Sequence, residues 1–233
     1  MIPMFRRRAG VAVLSVVLAV PSVGRPAALD DYAAVVTSAP SLRHIMIIGD
    51  SIQAGTKLNR AHGQASWRLQ RSTGIVVHTF ASPGATMANS GFLSGMLNAT
   101  TAVQLLHGLF NQLYGIIINL GLNDWGESVT ISAFSSAYGE FIAAIPPGIN
   151  VVCMSPTWSD REGELNAQGA TLDDFRAATR TVCESLGATY LDGKEVIPND
   201  ASYFVDGLHP NERGHRAMST FLTRGLRELE WVP

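Results

Sequence analysis

Four short blocks of the sequence carry side chains that can act together: Gly49-Asp50-Ser51, a turn around Gly84, Gly121-Leu122-Asn123-Asp124, and Asp206-Gly207-Leu208-His209-Pro210. A serine hydroxyl is a weak nucleophile at neutral pH. It needs a base within hydrogen-bond reach, and the base needs a third group to fix its tautomer. His209 is the candidate base for Ser51. Asp206 stands three residues before it on the same loop, near enough to curl back to Nδ1 and leave Nε2 facing the serine. The tetrahedral intermediate of acyl transfer also needs donors for its oxyanion, each worth about 2.7–4 kcal/mol of barrier. The backbone N–H groups of Ser51 and Gly84 and the side-chain amide of Asn123 are the candidates.

Each of these residues has a structural alternative. A lone Gly-Asp-Ser after a strand is usually a turn with a helix N-cap, and a lone His before Pro210 is an ordinary turn residue; the combination is what argues for chemistry. His215 is the rival base, but its spacing from Asp206 does not suit a shared loop. Asp50 is read as holding its turn and Asp124 as tying down the Asn123 loop. His44, His62, His78 and His107 have no carboxylate partner at a meaningful spacing and are read as structural or surface residues. Ser51 lies outside any G-x-S-x-G elbow, which sets the chain apart from the α/β-hydrolases. Trp125 and Trp158 either line a cleft or pack. The segment Met87–Leu97 reads as an acyl-facing wall, with cover for the sheet edge as the alternative. Asn98-Ala99-Thr100 matches a glycosylation sequon.

Strands alternating with helices must position these blocks. Strands are expected at His44–Ile48, Ile75–Phe80, Gly115–Asn119, Asn150–Met154 and Thr189–Leu191. Helices are expected at Gly63–Arg71, Thr101–Leu113, Ser132–Ala144, Leu172–Leu186 and Glu212–Arg227. The alternation argues for parallel βαβ units in an α/β domain. Runs such as Ile45-Met46-Ile47-Ile48 and Ile116-Ile117-Ile118 are apolar on both faces, as strands covered by helices on each side should be. Thr171 before Asp173-Asp174 is a capping signal, and Gly187 follows Leu186 where a left-handed residue ends a helix. Open parallel sheets bind ligands beyond the carboxyl ends of their strands. The first three blocks each follow a strand.

In order and spacing the four blocks resemble those of the SGNH (GDSL) hydrolase family, from His44 to near the C-terminus. The first and last blocks are specific; the Gly84 block rests on its place between them. The resemblance implies Ser51 as nucleophile, Asp206 and His209 as its triad partners, and Ser51, Gly84 and Asn123 as the oxyanion hole. It also implies a flavodoxin-like three-layer α/β/α sandwich around a parallel sheet, with no metal or organic cofactor. The serine block departs from the pattern by continuing as Ile52-Gln53-Ala54-Gly55, a change that touches local packing more than chemistry.

The chain of 233 residues is 46% hydrophobic, enough to bury one substantial core, and its formal charge is -2. It lacks the basic excess of a nucleic-acid binder, so nucleic acid is not an expected partner. Met1 to Arg8 is basic and Gly10 to Val20 apolar and uncharged, followed by small residues to Gly24. This is a secretory signal pattern, and the apolar run is shorter than the roughly 20 residues a membrane span needs. The expected organisation is a signal peptide over 1–24, a lead-in over 25–43 and a single domain over 44–233, with a secreted or periplasmic product. Cleavage would remove three arginines and no acid, taking the charge from -2 to -5. Cys153 and Cys183 permit one disulfide or remain buried thiols, and no His or Cys spacing suits a metal. The expected activity is hydrolysis of carboxylic esters through an acyl-enzyme, on short-chain or acetyl esters of small molecules or saccharides. The alternatives are an O-acetyltransferase acting on an envelope polysaccharide and a non-catalytic carbohydrate-binding relative.

Overall fold

A computed structural model describes residues 43–88 and 113–232. Five strands, β1 (His44–Gly49), β2 (Val76–Ala81), β3 (Leu113–Asn119), β4 (Asn150–Met154) and β5 (Thr189–Leu191), form one sheet in the order β2-β1-β3-β4-β5. Every pairing is parallel. Of the three inner strands, β1 and β3 are the most apolar. Ile45, Met46, Ile47, Ile116, Ile117 and Ile118 are all fully buried, each contributing on the order of 1.5–3 kcal/mol before chain entropy is set against it.

The helices are α1 (Ala65–Thr73), α2 (Leu122–Gly126), α3 (Ile131–Ala143), α4 (Leu172–Ser185) and α5 (Glu212–Glu228). α1 packs on α5 and β2, while α3 packs on α4, which in turn covers β4 and β5. The two helix pairs and the sheet make the three-layer α/β/α arrangement. Local chemistry fixes several ends. Thr171 and Asp174 form a capping box at α4, and Gly187 takes φ 71° just beyond it. Asn211 caps α5 by accepting from the backbone N–H groups of Arg213 and Gly214.

Some boundaries differ from the sequence reading. The helix expected at Gly63–Arg71 begins at Ala65, because Gln64 is extended and Ala61–Gly63 is a separate 3-10 turn. β2 is displaced by one residue, ending at Ala81. Leu113, expected to end a helix, opens β3 instead, its side chain buried like the isoleucines after it. The short helix α2 was not expected, since five residues are too few to show a helical period. Cys153 and Cys183 are buried free thiols. The signal segment, the lead-in up to Leu42, positions 101–112 of the expected helix, His107, the sequon and the wall beyond Ala88 lie outside the described residues.

Register is what brings the blocks together. Gly49 at the end of β1 stands level with Ala81 of β2 and Asn119 of β3. The chain therefore leaves all three strands at one height. Ser51, the Gly84 turn and Asn123 follow within a few residues of that edge.

Candidate active site

Ser51 sits in a tight turn after β1, held by bonds from Ala54 N–H to Asp50 O at 2.9 Å and from Thr56 N–H to Ser51 O at 2.9 Å. Its Oγ lies 3.1 Å from His209 Nε2. On the other side of the imidazole, Nδ1 is 2.9 Å from Asp206 Oδ2 and 3.1 Å from Oδ1. The Asp206 carboxylate also accepts the His209 backbone N–H at 2.8 Å and the Leu208 N–H at 3.3 Å. One carboxylate thus fixes both the loop and the ring, with Nδ1 as donor and Nε2 left to accept from the serine. Partial burial pushes the Asp206 carboxyl up, but the backbone and ring hydrogen bonds and the nearby imidazole outweigh it and hold it below its ordinary value.

The loop carrying Asp206 and His209 is built to close on itself. An isolated bridge pairs Phe204 with Pro210, and Val205 N–H donates to His209 O at 2.8 Å. Gly207 turns it with φ 77°, and a Cβ there would lie 2.0 Å from Asp160 Oδ2. Asp160 N–H in turn donates to Gly207 O at 2.9 Å. The loop over Pro156–Glu162 therefore supports the histidine loop from outside.

That supporting loop is held by Arg176, which the sequence reading did not single out. The residue is 4% exposed, and its guanidinium donates to Pro156 O at 2.9 Å, Thr157 O at 2.8 Å, Glu162 Oε2 at 2.8 Å and Asp173 Oδ1 at 2.6 Å. Burial alone would lower its pKa, yet the paired carboxylates overcome that and hold the charge. Lys194 joins the same group, 2.9 Å from Asp173.

Asn123 lies on α2 and its Nδ2 donates to Ala85 O at 2.9 Å and reaches Asp50 Oδ2 at 3.4 Å. The amide therefore spans the residue beside Gly84 and the residue beside Ser51. The backbone N–H groups of Ser51 and Gly84 themselves engage no partner among the described residues. Asp124, fully buried, accepts from the N–H groups of Met87 at 2.9 Å and Ala88 at 2.8 Å. It ties down the Gly84 turn, where the sequence reading had assigned it to the Asn123 loop. Burial raises the Asp124 carboxyl despite these bonds. The Asp50 carboxyl is raised to about 7, chiefly by burial and also by the neighbouring Asp124 charge, against the Ile52 N–H bond at 2.9 Å. Asp50 does hold its turn.

Beneath the serine turn lies a polar network that sequence reasoning missed. Gln53 Nε2 donates to Asn119 Oδ1 at 2.9 Å, and Asn119 Nδ2 donates to the carbonyls of Met154 at 3.1 Å and Ser155 at 2.9 Å. It joins the exits of β1, β3 and β4. The only signal for it was an Asn closing an isoleucine run.

The rival base is excluded by position. His215 is 1% exposed and its Nδ1 accepts from Ala65 N–H at 3.3 Å, between α5 and α1. Burial, with the Arg68 charge, lowers its pKa to about 4. Trp125 and Trp158 pack: Trp125 donates from Nε1 to Ala170 O at 3.2 Å, and Trp158 tilts against Phe204 at 4.8 Å.

Comparison with known proteins gives the family and the fold. Residues 47–217 match the model of the GDSL-like Lipase/Acylhydrolase family. Among solved structures, a carbohydrate acetylesterase family member from Sinorhizobium meliloti superposes with TM-score 0.62 at 18% identity, covering 81% of this chain and 99% of its own. A second carbohydrate acetylesterase from that organism gives 0.65 at 13% identity, with 80% and 99% covered. A salicylyl-acyltransferase from a tetracycline biosynthetic pathway gives 0.67 at 19% identity, covering 83% of this chain and 56% of its own. No curated protein matches the sequence significantly. With most of its length matched from the serine block to α5, the chain belongs to the GDSL-like lipase/acylhydrolase family and is an ester-hydrolysing enzyme.

Proposed function

We propose that this protein is an exported serine esterase that cleaves short-chain carboxylic esters through an acyl-enzyme. The observation that carries the reading is the contact of Ser51 Oγ with His209 Nε2 at 3.1 Å, with Asp206 seated behind the ring at 2.9 Å. His209 Nε2 takes the proton of Ser51 as Oγ bonds to the acyl carbon. The carbonyl oxygen becomes an oxyanion and is received by the N–H groups of Ser51 and Gly84 and by the Asn123 amide. As the C–O bond to the alcohol breaks, the imidazolium returns its proton to the departing oxygen. Water then attacks the acyl-enzyme by the same route, His209 taking its proton and handing it to Ser51. Asp206 keeps its charge throughout and stabilises the imidazolium.

The basic and apolar N-terminal segment supports export. The preference for acetyl or other short acyl groups, on a small alcohol or a saccharide, is supported by the compactness of the chain and by the acetylesterase names of two structural neighbours. A second reading, transfer of the acyl group to a sugar hydroxyl in place of water, is favoured by the acyltransferase neighbour. The discriminating experiment is a chain-length series of nitrophenyl esters beside acetylated xylan, with and without sugar acceptors. Fastest turnover of the acetyl ester with release to water supports the first reading. Acylated sugar accumulating far ahead of free acid would replace it with the second.

A further inference from the structure

The solvent ridge of α5 carries Arg213, Arg216, Thr220, Arg224 and Arg227 at successive helical turns, all exposed. An ordinary exposed helix face mixes signs at this spacing. Here Glu212 and Glu228 close the two ends and no acid lies between them. A chain whose formal charge is -2 has thus gathered cations on one ridge.

The ridge borders a groove. One depression of about 450 Å³ is lined by Tyr203, Arg213, Arg216 and Phe221, with Glu195 as its acid. Another of about 370 Å³ is lined by Ser72, Thr223 and Arg227, with Glu228 as its acid, and both share Thr220 and Arg224. Arg213 stacks over Tyr203 at 4.0 Å and donates to Ser202 Oγ at 2.8 Å, while Arg224 lies over Phe221 at 5.3 Å. The Arg216 guanidinium makes no hydrogen bond, ion pair or ring contact among the described residues. The guanidinium groups of Arg213 and Arg224 are thus oriented by ring faces, and with Arg216 they keep most of their donors for another molecule.

We propose that this groove binds an anionic polysaccharide, a chain of carboxylated or phosphorylated sugars lying along α5. Arg213 to Arg224 spans roughly 16 Å at 1.5 Å per residue, so the cations match a linear polyanion better than one small ion. A guanidinium fork pairs with a carboxylate or phosphate through two parallel hydrogen bonds. The Thr220 hydroxyl is exposed among them and, while donating to Arg216 O at 3.0 Å, keeps its lone pairs for a sugar hydroxyl. The same features disfavour a lipid surface. The cations border a depression, and none of the exposed large apolar residues, Trp67, Leu165, Leu186 and Val205, lies on α5.

The groove also points toward the site. α5 starts three residues after His209, and Tyr203 O accepts the Asn211 N–H at 2.9 Å at the base of the same loop. A sugar chain along the ridge would reach the rim that holds Ser51.

The test is equilibrium binding of the full chain to polygalacturonate, with neutral arabinoxylan and phosphatidylglycerol vesicles alongside. Saturable binding to polygalacturonate is expected, weakened by added salt and by at least about tenfold in the Arg216→Ala/Arg224→Ala double variant. Arabinoxylan should not bind. No binding by the folded wild-type chain, equal binding by a folded double variant, or stronger binding to vesicles than to polygalacturonate each overturns the proposal. Polygalacturonate carries no ester, so this result and the esterase reading stand or fall separately.

Discussion

Asn123 and Ala85 are joined by a 2.9 Å bond from the side-chain amide to the main-chain carbonyl, so the proposed oxyanion donor is also the tie that locates the Gly84 turn. Replacement of Asn123 by Ala removes both. Turnover should fall by about 10²–10³-fold, with kcat reduced more than KM is raised. A variant with unchanged kcat would show that the amide is only a structural tie.

Asp124 acts one step behind. Its carboxylate accepts two N–H groups, from Met87 and Ala88, and Asn in its place keeps one acceptor oxygen and sets an amino group against the other donor. Asp124→Asn should cost about 1–3 kcal/mol in urea unfolding and lower kcat as the Gly84 turn loosens. Full stability with full activity would remove Asp124 from the account.

Asp50 predicts a pH dependence. Its carboxyl is raised to about 7 in the folded chain, so the folded state keeps a proton that the unfolded chain gives up near pH 4. The stability this supplies is fully present below that range and is lost as pH rises toward 7, by about 4 kcal/mol at most. Asp50→Asn should therefore flatten the fall in unfolding free energy between pH 5 and pH 7, measured against wild type. Parallel curves for the two proteins would contradict the buried, protonated Asp50.

Arg176 should be the most sensitive position away from the serine. Substituting Met leaves Glu162 and the carbonyls of Pro156 and Thr157 without the guanidinium that satisfies them, a loss of about 3–5 kcal/mol. Because the Pro156–Glu162 loop braces Gly207, activity should fall with stability. A well-folded Arg176→Met chain with native melting would show that the carboxylates find other partners.

The site was legible in the sequence because each of its blocks is local, although the blocks themselves lie far apart in the chain. Asp206 and His209 share one loop, and Ser51 follows a run of isoleucines that can only be a buried strand. The braces were not legible. An Arg in an amphipathic helix reads as exposed, since arginine is seldom fully buried without partners, and apart from Asp173, three residues before it, those of Arg176 come from the preceding loop, 14 to 20 residues earlier. Gln53 and Asn119 look like turn and strand-end residues until β1 and β3 are set in register. α2 escaped notice because five residues show no periodicity, and Leu113 was misplaced because a leucine before Tyr114 suits a helix end as well as a strand start.

The most direct measurement is hydrolysis of nitrophenyl acetate by wild type and Ser51→Ala, with circular dichroism to establish that both are folded. Turnover by wild type and a loss of at least about 10⁴-fold in the variant are expected. A folded Ser51→Ala protein that retains most of the activity would contradict the serine mechanism.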